Sequence, residues 1–85
     1  MKKTLYSDEH KIFLYLLRQV RQEAGLTQAA LAEMLQVPQS FVSDYETGSR
    51  KLDTLQMRQV CIAMEIRLSD FAARLDENIA RGLDE

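Results

Sequence analysis

The sequence predicts an all-α protein built from five helices. Apolar residues recur at helical spacing through most of the 85-residue chain, and strand-like alternation is almost absent. Only 3 glycines and 1 proline interrupt the chain, and residues that cap helices stand at the expected breaks. A chain of this length is typical of one domain with a modest core, so residues 1–85 are expected to form a single unit.

Composition sets limits on the class of protein. The chain is 46% hydrophobic and 28% charged, which is typical of a folded helical protein rather than a disordered one. The single cysteine, Cys61, excludes an internal disulfide, and at an apolar position it is expected to be inert core. No signal peptide and no apolar run near 18 residues is present, so we expect a cytoplasmic protein with no membrane association.

The charge distribution narrows the place where an anionic partner can bind. The formal net charge is −2, which argues against generic nucleic-acid binding. Residues 1–51 carry seven Lys/Arg against six Asp/Glu, whereas residues 52–85 carry four against seven. An anionic partner is therefore expected to meet the first two thirds of the chain, with salt-sensitive binding.

The first helix is predicted to run from Ser7 to about Ala24. Ser7 is expected to cap it, with Asp8 at the positive end of the helix dipole, and Gly25 is expected to end it. The predicted core stripe of this helix is Phe13, Leu17 and Val20. Three further apolar residues exceed what one buried face needs: Ile12, Tyr15 and Leu16.

The next two helices are separated by a short turn. Thr27 is expected to cap a second helix over Gln28–Leu35. Pro38 is expected to start a third helix that ends near Gly48, because its φ is already suited to a first turn. The residues predicted to face inward are Leu31, Ala32, Leu35, Val42 and Tyr45.

Two further helices complete the chain. Asp53 is expected to cap the fourth, and Ser69 with Asp70 to begin the fifth, which spans about residues 69–83. The predicted core of the fourth helix is Leu55, Val60, Cys61 and Met64. The predicted apolar stripe of the fifth helix is Leu68, Phe71, Leu75, Ile79 and Leu83.

The short turn between the second and third helices predicts a specific recognition element made of these two helices. Helices joined by so short a turn must cross steeply, and Ala32 is small enough to lie at the crossing. The third helix then projects outward as a rod that fits the major groove of DNA, about 12 Å wide. Its outward side chains are short hydrogen-bonding groups suited to base edges: Gln39, Ser40, Ser43, Asp44 and Thr47.

The segment "GLTQAALAEMLQVPQSFVSDYETGSRKLD" resembles the lambda-repressor-like, or XRE-type, helix-turn-helix family. The resemblance covers roughly residues 13–66, with the motif itself at about residues 28–47. It implies a five-helix DNA-binding domain in which Gln39, Ser40, Ser43 and Asp44 read bases. It also implies a structural ion pair between residues 21 and 46, and phosphate contacts from Thr27, Gln28, Ser49, Arg50 and Lys51.

Two residues depart from the family pattern. Gln36 stands where a glycine is common, so it is expected to adopt a left-handed conformation at some cost. Asp44 places a carboxylate on the outward face of the third helix, called here the reading face, where the phosphates of DNA would repel it. It either accepts a hydrogen bond from cytosine N4 or repels wrong sequences, and both readings stay open.

No metal, cofactor or catalytic site is predicted from the sequence. Phe41 lies beside the core face, and packing is favoured over contact with a thymine methyl. His10 stands alone, so no metal site is expected, and no cofactor is predicted. No nucleophile–base set or glycine-rich phosphate loop is present, so the chain is not expected to be an enzyme.

The sequence therefore predicts a homodimeric transcriptional regulator, acting as a repressor on a pseudo-palindromic site in double-stranded DNA. The fifth helix is expected to form the dimer through Phe71, Leu75, Ile79 and Leu83, and a protein partner is a further candidate. An antitoxin or a restriction–modification controller would share these contacts. A protein-interaction module that has lost DNA binding is the alternative of a different class, supported by the net acidity and Asp44.

Overall fold

A computed structural model describes residues 5–82, which fold into five α-helices and contain no strand. The all-α prediction is confirmed. The helices are α1 (Leu5–Glu23), α2 (Gln28–Leu35), α3 (Gln39–Thr47), α4 (Thr54–Ala63) and α5 (Leu68–Arg81). Leu83, predicted for the dimer contact, lies outside the described residues.

The core lies where α1 meets α3 and α5. On the other side, α2 packs against α3 and α4, and α4 packs against α5. Every helix therefore contributes at least one side chain to a single buried cluster. Its fully buried members are Leu16, Leu17, Leu31, Val42, Tyr45, Val60, Cys61 and Phe71.

Local capping explains where α2 and α4 begin. The Thr27 hydroxyl accepts a hydrogen bond from the Ala30 backbone N–H at 3.0 Å, as the sequence predicts. The Asp53 carboxylate accepts from the Gln56 N–H at 2.7 Å, and the Gln56 side chain accepts from the Asp53 N–H. This reciprocal capping box satisfies two helix-end donors without any tertiary contact.

Three predictions about individual residues are wrong. The predicted start at Ser7 is too late: α1 already begins at Leu5, because no proline or glycine stops the helix from extending back past Ser7. Leu16 is fully buried and belongs to the core rather than to a surplus apolar face. Leu55 is 73% exposed because it lies two residues from buried Met57, nearly on the opposite side of α4.

Among residues 5–82, two non-glycine residues adopt left-handed backbone conformations. Gln36 ends α2 with φ 61° and ψ 46°, as its place in the turn predicts. Its N–H donates to the Glu33 carbonyl at 3.1 Å, and the Val37 N–H donates to the Ala32 carbonyl at 3.0 Å. Glu65, just after α4, has φ 62° and was not predicted to do so. Both residues let the chain turn sharply between helices.

The fifth helix is held to α1 by packing and by one ion pair. The Phe71 ring meets the Phe13 ring edge-on, with centroids 6.1 Å apart. Arg74 donates two hydrogen bonds to the Glu23 carboxylate at 2.9 and 3.0 Å. Phe71 is 1% exposed, so its side chain is used by the core of the single chain, and its predicted role in a dimer contact stays a prediction. Leu75 also packs against the core, while Ile79 is half-buried.

Within residues 5–82 no helix is long and apolar enough to cross a membrane.

Candidate nucleic-acid interface

The helix-turn-helix element is anchored by the inner faces of α2 and α3. Leu31 and Ala32 of α2 are buried, as are Val42 and Tyr45 of α3. Ala32 at the crossing is 3% exposed, in agreement with the predicted need for a small side chain. This packing leaves the opposite face of α3 without contacts to the core.

A buried ion pair fixes the C-terminal end of α3 to α1. The Arg21 Nε and Nη2 atoms donate to the two carboxylate oxygens of Glu46 at 2.7 and 3.0 Å. Arg21 Nη1 donates to the Leu26 carbonyl at 3.0 Å, so the same guanidinium also holds the loop before α2. Two parallel hydrogen bonds of this kind fix orientation as well as distance.

Gln28 carries this network to the start of α3. Its amide N–H donates to Glu46 Oε1 at 3.0 Å. Its amide oxygen accepts a long hydrogen bond of 3.5 Å from the Gln39 side chain. Gln28 was predicted from sequence to contact phosphate, and the structure places it between the buried pair and Gln39.

The four predicted base-reading residues share one side of α3, but they differ in exposure. Gln39 and Ser40, in the first turn, are exposed. Ser43 and Asp44, one turn later, are half-buried. Residues near the N-terminus of a recognition helix reach furthest into a groove, so Gln39 and Ser40 are the better placed pair for base edges.

The loop after α3 presents the predicted phosphate-contacting residues to solvent. Ser49, Arg50 and Lys51 are all exposed. The Asp44 backbone carbonyl accepts from the Ser49 N–H at 2.8 Å and from the Arg50 N–H at 3.2 Å, which curls this segment back over the end of α3. We call residues 49–51 the basic turn.

Gly48 makes that turn possible for two reasons. Its φ of 92° lies in the region that side-chain-bearing residues rarely adopt. A Cβ atom at this position would also meet Leu14 Cδ1 at 3.2 Å and His10 Nε2 at 3.5 Å. The C-terminal end of α3 therefore lies close against side chains of α1, and any other residue at position 48 would strain the backbone and require Leu14 to shift by a few tenths of an ångström.

Arg50 is held by an aromatic ring that sequence reasoning did not connect with it. The Arg50 guanidinium carbon lies 4.5 Å from the centre of the Phe41 ring. Phe41 in turn packs edge-on against Tyr45, with ring centroids 5.9 Å apart. Phe41 thus packs against Tyr45, as predicted, and its ring also holds the Arg50 guanidinium beside the outer face of α3. The two residues are nine positions apart, with a turn between them, so no local sequence signal indicates the contact.

One buried polar group behind the reading face has no hydrogen-bond partner. Tyr45 is 1% exposed, and its hydroxyl finds neither donor nor acceptor within the described residues. Burial, followed by the nearby Glu46 charge, raises the pKa of Tyr45, so the ring stays neutral. Burial likewise raises the pKa of the Cys61 thiol, which is consistent with an inert core cysteine.

Comparisons with known proteins agree with this geometry. A family model described as helix-turn-helix matches residues 17–76. A solved XRE-family like protein from Pseudomonas syringae pv. tomato str. DC3000 is 32% identical, with a TM-score of 0.79. That match covers 86% of this chain and 89% of that one.

A mutant of the restriction–modification controller protein C.Esp1396I has the same fold, with a TM-score of 0.76 at 22% identity. The match covers 93% of this chain and 96% of that protein. Among curated proteins no relative matches. The matched residues include all of α2, α3 and α4, and the chain belongs to the XRE-type helix-turn-helix family of DNA-binding regulators.

Proposed function

We propose that this protein is a homodimeric repressor that reads a pseudo-palindromic operator by inserting α3 into the major groove. The observation that carries the proposal is the outer face of α3. Its first turn exposes Gln39 and Ser40, while its inner face is locked to α1 and α2 through the buried Arg21–Glu46 pair. Such a rigid helix holds the reading side chains in place before DNA arrives.

The two proposed base readers have complementary chemistry. The Gln39 amide can donate to adenine N7 and accept from adenine N6 at once, and the Ser40 hydroxyl can donate or accept. The Gln39 amide nitrogen lies 3.5 Å from the Gln28 amide oxygen, so the two proposed DNA-contacting side chains are neighbours. Ser43 and Asp44 are proposed as secondary readers because they are half-buried.

The proposed phosphate contacts flank α3 on two sides. Thr27 and Gln28 lie at the start of α2, where the helix dipole favours an anion. Arg50 and Lys51 lie in the basic turn after α3, and both are exposed. Few positive charges are involved, so affinity should depend on salt less steeply than in strongly basic DNA-binding proteins.

Dimerisation is part of the proposal because one recognition helix contacts too few base pairs for useful specificity. On α5, where the sequence places the contact, the core already uses Phe71 and much of Leu75. Ile79 is the one described member of the predicted set outside the core cluster. Ile79, near the C-terminal end of α5, therefore stands as one proposed contact, and Leu83 stays a prediction from the sequence because it lies outside the described residues.

Selection from random duplexes tests the proposed reading of DNA. The protein is mixed with a random duplex library at low and at moderate salt, and bound fragments are sequenced. The proposal predicts enrichment of one motif with two-fold symmetry and half-sites about one helical turn apart. Binding without enrichment would overturn sequence-specific reading. No binding at low salt would favour the protein-interaction alternative.

A restriction–modification controller or an antitoxin would make the same DNA contacts through α3. The choice between those roles depends on the neighbouring genes and not on the geometry of the interface. The proposed operator reading is common to all of them.

A further inference from the structure

Arg50 is held in place without losing its charge or its hydrogen-bond donors. Its guanidinium carbon lies over the Phe41 ring, 4.5 Å from the ring centre. An aromatic face attracts a cation through its π electrons and leaves the in-plane N–H groups of the guanidinium unused. No carboxylate pairs with Arg50 among residues 5–82. The guanidinium is therefore ordered and still open to an anion.

Two other arginines show how an ion pair differs from this arrangement. Arg21 donates from Nε and Nη2 to the Glu46 carboxylate. Arg74 donates two hydrogen bonds to the Glu23 carboxylate. Each of these guanidinium groups is compensated by a negative charge, and part of its donor set is already occupied. A phosphate would have to compete with a carboxylate at either site, whereas at Arg50 it would displace no described carboxylate.

The ring that holds Arg50 is itself fixed by the core. Phe41 is half-buried and packs against the buried cluster. Its ring meets the Tyr45 ring edge-on, with an interplanar angle of 82°, and Tyr45 is 1% exposed. Both aromatic residues belong to α3. The Phe41 ring therefore fixes the guanidinium relative to the helix that carries the reading face.

The backbone of Arg50 is tied to the same helix. Its N–H donates to the Asp44 carbonyl at 3.2 Å, beside the hydrogen bond from the Ser49 N–H to the same oxygen. Both ends of Arg50 are thus attached to α3. Lys51, the next residue, is exposed, and its side chain has no hydrogen bond or ion pair within the described part of the chain. The two neighbouring cations therefore differ in how far they are ordered.

We propose that Phe41 is a positioning residue for DNA binding, whose ring holds the Arg50 guanidinium in place to bind one phosphate through two parallel hydrogen bonds. The inference rests on the proposed function, because it assigns a role within the same DNA interface. A long side chain loses rotamer freedom when DNA orders it, and Arg50 has lost part of that freedom beforehand. Two-point binding of a phosphate is also the property that separates arginine from lysine.

Direct contact between Phe41 and a thymine methyl would also make the ring important, and the two roles predict different results. Every DNA sequence carries phosphates, so loss of a phosphate contact weakens binding to the operator and to random DNA alike. Loss of a methyl contact weakens binding only where thymine stands at one position. The phosphate role also requires Arg50, whereas the methyl role does not.

A double-mutant cycle between residues 41 and 50 tests the proposal. Dissociation constants are measured for Phe41→Leu, Arg50→Ala and the variant with both changes, on the selected operator and on random DNA. Phe41→Leu keeps an apolar side chain but removes the ring, so it should weaken binding to both DNAs about two- to fivefold, as expected for an exposed cation–π contact. After Arg50→Ala, the same change should alter binding by less than about 1.5-fold, because the cation that the ring holds is gone.

Lys51→Ala provides the matched background, because it removes the neighbouring positive charge and leaves the stacked pair intact. In that background Phe41→Leu should keep its full effect. Phe41→Tyr restores an aromatic face and should recover the binding that Phe41→Leu loses. Circular dichroism checks the helical content of every variant. An effect of Phe41→Leu that is equal with and without Arg50, that is confined to the operator, or that Phe41→Tyr fails to recover would overturn the proposal.

The unmodified protein gives a second readout that needs neither a variant nor DNA. Protons above the face of an aromatic ring resonate upfield, so the δ-CH₂ protons of Arg50 should lie upfield of those of Arg58, which is exposed and stacks on no ring within residues 5–82. Equal NMR shifts for these two arginines would overturn the proposal, whatever the variants show.

The outcomes separate this proposal from the proposed function. If a motif is enriched from random duplexes and Phe41→Leu acts only through Arg50, both stand. If a motif is enriched while Phe41→Leu acts equally with and without Arg50, the proposed function stands and the role of Phe41 fails. If no DNA is bound at low salt, the proposed function fails, and the role of Phe41 fails with it even where the Arg50 protons are shifted.

Discussion

Arg21 of α1 and Glu46 of α3 form a bidentate ion pair, 2.7 and 3.0 Å long, that is almost closed to solvent. Folding removes both charges from water, so each charge depends on the other for electrostatic compensation. Removing one partner leaves a buried charge without compensation, which typically costs about 3–5 kcal/mol. The pair joins α3 to α1 and lies behind the outer face of α3, which is proposed to read bases.

We therefore expect Glu46→Ala and Arg21→Ala each to lower the free energy of unfolding by about 3–5 kcal/mol, a large part of the stability of a small domain. The double variant should lose less than the sum of the two, because no buried charge is left alone. Urea denaturation measures all three, with exposed Arg18→Ala as the control. A loss below about 1 kcal/mol for both single variants would contradict this account of the pair.

Tyr45→Phe should not destabilise the protein. The Tyr45 hydroxyl is buried without a hydrogen-bond partner among the described residues, and such a group costs about 1–3 kcal/mol. Removing it keeps the ring that packs against Phe41. Thermal unfolding should therefore show an unchanged or higher midpoint. A clear fall in the midpoint would mean that the hydroxyl has a bound partner, such as a buried water.

Gln36→Gly should stabilise the turn between α2 and α3. Gln36 has φ 61°, which glycine adopts without steric cost. Part of that gain is lost to the greater freedom of glycine in the unfolded chain, so we expect a gain of up to about 1 kcal/mol. Gln36→Val is the matched opposite, since a branched side chain resists this conformation. Equal stability of the two variants would contradict the assigned backbone strain.

Glu23→Gln should change the acid dependence of stability slightly. The hydrogen bond from Arg74 lowers the pKa of the Glu23 carboxyl below its ordinary value. Because the folded-state pKa is the lower one, the pair stabilises the protein above the unfolded-state pKa, and that gain is lost as pH falls through the folded-state pKa.

The pair is exposed, so the gain at neutral pH should stay below about 1 kcal/mol and shrink with salt. Denaturation midpoints of Glu23→Gln and the unmodified protein should differ slightly at neutral pH and converge once the pH has fallen below the folded-state pKa of Glu23. A difference that grows as the pH falls would have the wrong sign for this pair.

Local signals in the sequence predict much of the fold. Thr27 and Asp53 are caps that act on backbone groups three residues away, so the sequence alone places the starts of α2 and α4. The whole of α2 agrees with its predicted bounds. The left-handed Gln36 follows from the shortness of the turn in which it lies.

Contacts between distant parts of the chain were not predictable in the same way. A stripe of apolar residues shows that a helix has a face to bury, but not which surface buries it. Phe71 was therefore expected in a dimer contact, although Phe13 of α1 covers it. The support of Arg50 by Phe41 and the link from Gln28 to Glu46 likewise depend on how the helices pack.

The central claim is that α3 reads bases through Gln39 while the basic turn only grips the backbone. Binding titrations of Gln39→Ala and Lys51→Ala, on the selected operator and on random DNA at several salt concentrations, test it most directly. Gln39→Ala should cost about 1–3 kcal/mol on the operator, almost nothing on random DNA, and leave the salt dependence unchanged. Lys51→Ala should weaken both DNAs alike and reduce the salt slope by about 1. Equal weakening of both DNAs by Gln39→Ala would contradict base reading, and no effect of either variant would show that DNA binds another surface.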